Sequence, residues 1–436
     1  MVANEASNMS GIREAEVAVY RLVSWRVLPF LAICYLFAYL DRINIGFAKL
    51  QMQSDLALSD AAYGLGAGIF FLGYVLFEVP SNLLLAKIGA RRTLSRILIL
   101  WGMTSAAMLF VTNVAAFYTL RFLLGAFEAG FAPGMIYYLS LWYPRARMAR
   151  AMAIVLGAAP VGGAIGGPLS TWIMTHLAGA SGLAGWQWMF LIEGVPSALL
   201  GGVAYLFLVD KPTDAPWLTA AQKTIIASQV ERPATGRSSS LTKALADPRI
   251  YILAAAYFCL ICGLYAVSFW LPTILKSAGL TDLFKIGMYS AVPYLAAIVA
   301  MYILSRSSDR GGERRWHSAA PAILGAGFLT VAAYSTSFPA ALASITLATA
   351  AIFASYTVFW AIPQEHFKGT AAAGGIAFIN SIGLFGGFFS PTIIGWTKGV
   401  TGSLQAGLLV IAALLVIGAV LLALRREAGV PQAVMP

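Results

Sequence analysis

The chain has 436 residues, of which 59% are hydrophobic and only 11% charged, and it carries a formal charge of +11. A soluble domain has roughly 25% charged residues, so this composition cannot cover a water-facing surface. Together with a mean hydropathy of +0.78, it excludes a soluble enzyme or nucleic-acid-binding domain. It points to a helical membrane protein.

Residues 1–26 form a polar N-terminal tail of mixed charge, expected on the cytoplasmic side. They lack the basic lead, short apolar core and cleavage site of a secretory signal peptide. Twelve apolar runs of spanning length follow: 27–48, 62–86, 93–112, 115–139, 151–175, 186–209, 250–275, 285–305, 317–337, 340–363, 370–396 and 403–424. Each approaches the roughly 20 residues that cross a bilayer as a helix. A transmembrane barrel would show alternating segments of about ten residues instead. The polar stretch 210–249, which includes ERPATGRSSS, separates a six-span half at 27–209 from another at 250–424, and residues 425–436 form a second tail.

The bases fix the orientation. With both termini cytoplasmic, only Lys49, Lys276, Lys285, Lys398, Arg42 and Arg121 of the 29 Lys and Arg fall outside cytoplasmic segments. That asymmetry explains the positive charge without nucleic acid. Cys34, Cys259 and Cys262 all lie in apolar runs and read as packing residues. The CxxC at 259–262 lacks the second ligand pair of a metal site.

The first span, VLPFLAICYLFAYLDRINIGFA (27–48), contains Asp41, Arg42 and Asn44. A charge at mid-bilayer costs at least about 2.5–3.5 kcal/mol on insertion scales, so intramembrane charges mark function by default. Span 2 holds Glu78, span 4 holds Arg121 and Glu128, and span 6 holds Glu193. The second half has no Asp, Glu, Lys or Arg in the interior of its spans; Lys276 and Lys398 lie at or just past span ends. It offers aromatics and amides instead: Tyr257, Tyr265, Trp270, Tyr289, Tyr294, Tyr356, Trp360, Gln364 and Asn380. Arg121 and Glu128 are seven residues apart and share a helix face, about 10 Å apart along the axis. An inward-facing arginine can hold a carboxylate through its fork of donors. A carboxylate in low dielectric can carry a proton. The structural alternative is an internal ion pair, with Asp41 neutralising Arg42 or Arg121. Glu78 and Glu193 lie near span ends, where they can cap or pair with loop bases. His176, His317 and His366 read as boundary residues, and the patch PQEHFKG (363–369) stays unassigned.

Two further patterns stand out. Span 5 carries Gly162, Gly163, Gly166 and Gly167 at the spacing of close helix contacts, with Pro160 and Pro168 as bend points. The loop AKIGARR (86–92) after span 2 is echoed by DRGGERR (309–315) after span 8, with Gly89 and Gly312 223 residues apart. Parallel repeated halves are a transporter architecture, with the substrate site near midplane.

The stretches YLDRINIGFA, SNLLLAKIGARR, RFLLGAFEAGFAPG, SDRGGERR and GTAAAGGIAFINSIG resemble the major facilitator superfamily over essentially the whole chain. Within it they resemble the anion:cation symporter family. The resemblance implies an all-α membrane protein with twelve transmembrane helices in two six-helix bundles. It implies that Arg42 binds a substrate carboxylate, with Tyr39, Tyr74 and Asn380 in the pocket, and that Asp41 and Glu128 couple protons. Trp360 is added as an aromatic substrate contact and Arg121 as a charge partner. Lys87, Gly89, Arg91, Asp309, Arg310 and Gly312 belong to the conformational loops. The first loop departs from the superfamily pattern, with Ala86 where an acid precedes the base; Glu78 is one substitute.

The resulting expectation is an inner-membrane, proton-coupled importer of a small organic carboxylate, working as a monomer in the bilayer. It needs no cofactor, metal or nucleic acid. Residues 151–169 of span 5 have no polar side chain, which favours an aromatic or sparsely hydroxylated acid such as phthalate. Tartrate or a sugar acid is the alternative. A multidrug exporter for cations fits poorly with two intramembrane arginines, and neither a channel filter nor a catalytic cluster is present in the pattern.

Overall fold

The computed structural model describes residues 2–230, 245–366 and 370–424. Arg232, Arg237, Lys243, Lys368, Arg425 and Arg426, counted among the cytoplasmic bases, lie outside the described residues. The whole ERPATGRSSS segment lies outside them too, as does the tail 425–436.

Among the described residues the structure is helical, without a strand. Twelve helices are long and apolar enough to cross a membrane. In chain order they are α1 (Arg13–Asp55), α2 (Asp60–Ile88), α3 (Ala90–Phe110), α4 (Val114–Ser140), α5 (Ala146–His176) and α6 (Gly185–Phe207). Then follow α7 (Arg249–Ser277), α8 (Leu283–Gly311), α9 (Arg315–Tyr334), α10 (Phe338–Glu365), α11 (Gly374–Thr401) and α12 (Gln405–Ala423). They match the twelve apolar runs.

The boundaries differ where local chemistry overrides hydropathy. The helix of α1 begins at Val2, because the tail before residue 27 contains good helix formers and no proline until Pro29. Lys49, expected at the outer end of the first span, is inside α1 and only 1% exposed. Span 4 is one apolar run in the sequence but two helical pieces, Val114–Glu128 and Phe131–Ser140. The break falls at Gly130, whose φ of +85° places it in the left-handed region open to glycine. Glu128 therefore ends the first piece. Asn113 caps the start of α4, accepting a hydrogen bond from the Ala116 amide at 2.9 Å.

Contacts divide the described chain into two units. One comprises residues 2–58, 69–230 and 282–291; the other comprises 59–68, 245–281, 292–366 and 370–424.

In the first unit, small residues let backbones approach where lipid supplies no hydrophobic drive between helices. Helices α3 and α6 meet through Gly102, Gly194 and Gly201, and Ser95 Oγ donates to the Gly201 carbonyl at 2.6 Å. Gly162 of α5 lies against the Leu36 carbonyl of α1, so the small-residue stripe of span 5 is a packing face. Helices α2 and α4 meet reciprocally: Gly73 faces the Phe122 carbonyl and Gly125 faces the Phe70 carbonyl. A Cβ on Gly125 would overlap that carbonyl oxygen. Gly125→Ala is expected to lower stability in detergent by about 1–3 kcal/mol, read as a fall in melting temperature. Gly327→Ala, which meets nothing within 4 Å, serves as the control and should not fall.

In the second unit, α7 runs between α11 and α12. Gly386 of α11 approaches the Phe258 carbonyl, and Gly418 of α12 packs on Cys259. The three cysteines are buried free thiols, and Cys262 Sγ contacts the Gly386 carbonyl at 3.7 Å. Lys398 of α11 pairs with Asp60 at 3.1 Å and stands 6.0 Å from the Trp270 ring centre.

Candidate functional site

Close α2–α4 packing sets the first half of the site. It puts Phe70 and Tyr74 of α2 beside the two intramembrane arginines. The Arg42 guanidinium stands 5.3 Å from the Phe70 ring centre and 5.7 Å from that of Tyr74. Arg121 stands 5.2 Å from Phe70 and is fully buried. Aromatic faces attract cations, more strongly when desolvated, so these rings hold both guanidiniums without neutralising them.

Arg42 is ion-paired with Glu128 through Nη2 and Oε1. Arg121 lies within electrostatic reach of the same carboxylate. The other Glu128 oxygen, Oε2, accepts no hydrogen bond among the described residues. Two guanidiniums thus stand against the Glu128 carboxylate. Arg42 retains 15% side-chain exposure against 2% for Glu128, so the base is the more accessible partner.

Asp41 points elsewhere. The structural alternative paired it with Arg42 or Arg121; it instead accepts four hydrogen bonds from neutral donors. Oδ2 takes Trp101 Nε1 at 2.8 Å and Ser197 Oγ at 3.2 Å. Oδ1 takes Ser105 Oγ at 2.9 Å and Asn44 Nδ2 at 3.4 Å. The reason is helical: consecutive residues project about 100° apart. Arg42 faces α2 and α4, while Asp41 faces α3 and α6. Glu193, read from sequence as a span-end residue, is 1% exposed and belongs to this second network. It accepts from Ser170 Oγ at 2.7 Å and from Asn44 Nδ2 at 2.9 Å. Its position in the sequence gave no hint of this, since its partners come from helices α1 and α5.

Tyr39 is buried on α1, with its Cβ facing Gly162 of α5. In the second unit, Trp360 sits at the break in α10 between Phe338–Phe359 and Ala361–His366. Its ring meets Tyr257 edge-on at 4.8 Å, and Tyr257 stacks on Phe359 at 5.1 Å. Asn380 is half-buried on α11. Tyr257 packs tightly on Gly383, less than one helical turn beyond Asn380.

The two loop copies are built differently. In the first, Gly89 has a φ of +88°. The Arg91 amide donates to Asp210 at 2.8 Å, and Arg91 Nε donates to the Tyr205 carbonyl at 2.6 Å. Asp210, just past α6, is the acid against this loop; Glu78, one turn before Ser81 on α2, was the substitute expected. Lys87 is exposed. In the second copy, Gly312 is left-handed, Arg310 is exposed, and Arg314 bridges Asp309 at 2.6 Å and Glu365 at 3.0 Å. The unassigned patch before α11 thus contributes Glu365 to this loop.

Glu313 caps α9, accepting from the Trp316 amide at 2.6 Å and the His317 amide at 3.1 Å. Partial burial pushes its carboxyl up, but bonds from the His317 ring and both amides outweigh that and hold it below the usual carboxylate range. A depressed folded value stabilises the protein above the unfolded value and is lost as pH falls through the folded one. Glu313→Ala is expected to cost about 1 kcal/mol at neutral pH, with the difference from wild type shrinking in acid. Thermal melts at two pH values would check both.

A family model described as Major Facilitator Superfamily matches residues 31–391. A protein of Agrobacterium vitis described as a putative tartrate transporter is 46% identical over 94% of this chain and 91% of its own length. A quinolone resistance transporter of Acinetobacter baumannii is 39% identical over 93% of this chain and 94% of its own. The solved structure of a bacterial homologue of the human lysosomal transporter Spinster aligns with a TM-score of 0.77. It covers 92% of this chain and 96% of that one at 17% identity, a likeness of fold.

Proposed function

The chain belongs to the Major Facilitator Superfamily of membrane transporters, and from that premise we propose that it carries a small organic anion into the cell together with protons. The observation that carries this reading is the buried Arg42–Glu128 pair with Arg121 beside it. An intramembrane arginine held by a carboxylate suits an anionic cargo, which can replace Glu128 on Arg42 through a bidentate pair. A proton arriving on Glu128 removes the internal competitor and frees Arg42 for the substrate carboxylate. When the proton leaves, Glu128 reclaims Arg42 and displaces the cargo.

Tyr74 and Phe70 hold the guanidinium in place during the exchange. Tyr39, Asn380 and Trp360 supply the remaining substrate contacts in this reading. Asp41 acts in proton coupling through its own neutral network, since losing its charge does not directly release Arg42. Two protons per monoanion would make import electrogenic, gaining roughly 2.3 kcal/mol per charge per 100 mV. The six-span halves 27–209 and 250–424 would rock about the site. The inner-membrane location, with both termini cytoplasmic, rests on the distribution of bases.

Tartrate is the first substrate to test, given the relative at 46% identity. Phthalate is the second reading, favoured by the Tyr257–Phe359–Trp360 ring cluster. The quinolone-resistance relative fits the same site chemistry in one respect, because quinolones carry a carboxylate. Uptake of labelled tartrate and labelled phthalate at external pH 6 and pH 8, with a protonophore control, tests the proposal. Stronger uptake of one acid at pH 6, lost with the protonophore, is the expected result. Uptake unaffected by pH and protonophore would overturn proton coupling.

A further inference from the structure

Helix α1 places an amide between two buried carboxylates. Asn44 Nδ2 donates to Asp41 Oδ1 at 3.4 Å and to Glu193 Oε2 at 2.9 Å, while Asn44 Oδ1 has no donor among the described residues. Asn44 is fully buried, and an unsatisfied buried acceptor is uncommon enough to call for an explanation. The two acids are not equally provided for. Asp41 has four donors for its two oxygens; Glu193 has two. Among the described residues no cation hydrogen-bonds to either one.

The elements packed on Glu193 are α1, α3 and α5. Their charged groups are Asp41, Arg42 and Lys49 in the same stretch of α1 as Asn44, with Arg13, Glu14, Glu16, Arg21, Arg26 and Asp55 toward its ends, Arg91, Arg92 and Arg96 at the start of α3, and Arg147, Arg150 and His176 at the ends of α5. None of these bases hydrogen-bonds to Glu193. Two anions bridged only by one amide, without a counter-ion, are costly in a low-dielectric interior. One proton on Glu193 removes the like-charge pair. Amide orientation follows the hydrogen-bond network around it, so a half-turn of the Asn44 amide puts Oδ1 where Nδ2 now bridges the two acids. A Glu193 carboxylic acid then donates its O–H to Oδ1, while Asp41 keeps its donors from Trp101, Ser105 and Ser197.

We propose that Glu193 is a proton-binding residue of this transporter, holding one proton against Asn44 beside an ionised Asp41. The inference deepens the proton-coupling reading and rests on it for its role in transport. The proton site itself is separable. The step is simple addition: a proton from solution bonds to a Glu193 oxygen, and the Asn44 amide turns to accept it. Asp41 and Arg42 are consecutive on α1, so the state of this network and the occupancy of Arg42 act on one segment of helix. Glu193 is a positioning and proton-holding group, because it does not touch the Arg42–Glu128 pair.

The deciding measurement is infrared difference spectroscopy of the purified full-length protein across a pH series, following the C=O stretch of protonated carboxylic acids. Wild type should show a titrating acid band that Glu193→Gln abolishes. Asn44→Val should keep the band and move it to higher frequency, because the acid O–H loses its acceptor; this variant guards against a folding defect in the first. A band that persists unchanged in Glu193→Gln, or that disappears only in Asp41→Asn, overturns the assignment. Tartrate uptake into proteoliposomes under an imposed pH gradient, run in parallel, separates the two readings. The Glu193 band without gradient-driven uptake supports the proton site and counts against proton-coupled tartrate transport. Gradient-driven uptake with an unchanged band in Glu193→Gln upholds coupling and overturns this inference.

Discussion

Arg42→Lys is expected to leave the protein in the membrane at normal levels and to cut uptake of the anion about 10- to 100-fold. The charge survives this change; what is lost is the planar fork. A lysine ammonium is a point charge that cannot hold a carboxylate through two parallel bonds. A hydrogen bond to a charged group contributes about 1.5–3 kcal/mol, which sets the range. The loss should fall mainly on the concentration giving half-maximal uptake, because Arg42 is engaged in binding before any conformational step. Arg42→Ala is a harsher and less informative change. It strands Glu128 in the bundle without its ion-pair partner, and breaking a buried pair by removing one partner costs about 3–5 kcal/mol. Uptake by Arg42→Lys equal to wild type in rate and half-saturation would remove Arg42 from the substrate site.

The twelve spans were legible in the sequence because a bilayer demands length and apolar content, and both can be counted. The interruptions were not. Nothing in the apolar run 115–139 distinguishes Gly130, the residue that turns left-handed, from Gly125, which lets α4 touch α2. Hydropathy sees both as small residues in an apolar run. The charged residues themselves were easy to find, since any intramembrane charge stands out. Their pairing was not. Arg42 and Glu128 are 86 positions apart, and the adjacent Asp41 is the more obvious partner on paper. Helical geometry separates neighbours on the chain and joins residues on different helices.

Glu193 was undervalued for a related reason. Its distance from the span end was measured along the sequence, whereas its environment is set by Ser170 and Asn44. The first loop offers the same lesson, with its acid supplied by Asp210, 119 residues from Arg91. Loss of the acid at position 86 therefore does not leave the loop without one.

Glu128→Gln separates binding from energy coupling. Glutamine keeps the shape of the side chain and a carbonyl oxygen to face Arg42, but it cannot gain or lose a proton. Arg42 is then never held by the Glu128 anion. The variant should exchange labelled for unlabelled substrate across the membrane at a rate comparable to wild type, because exchange requires binding and rocking but no net proton movement. Concentrative uptake should weaken. Each proton coupled to the cargo adds a factor of ten in accumulation per unit of pH gradient, since one pH unit is 1.36 kcal/mol. Removing one coupling site should therefore cost about tenfold in the accumulation ratio for a one-unit gradient. The stimulation of uptake by external acid should flatten as well. The sign follows from the competition: in wild type, acid weakens the Glu128 hold on Arg42 by protonating Glu128, and in the variant that hold is absent at every pH. Substrate-evoked currents and accumulation equal to wild type in Glu128→Gln would exclude Glu128 from coupling and leave it a structural counter-ion for Arg42.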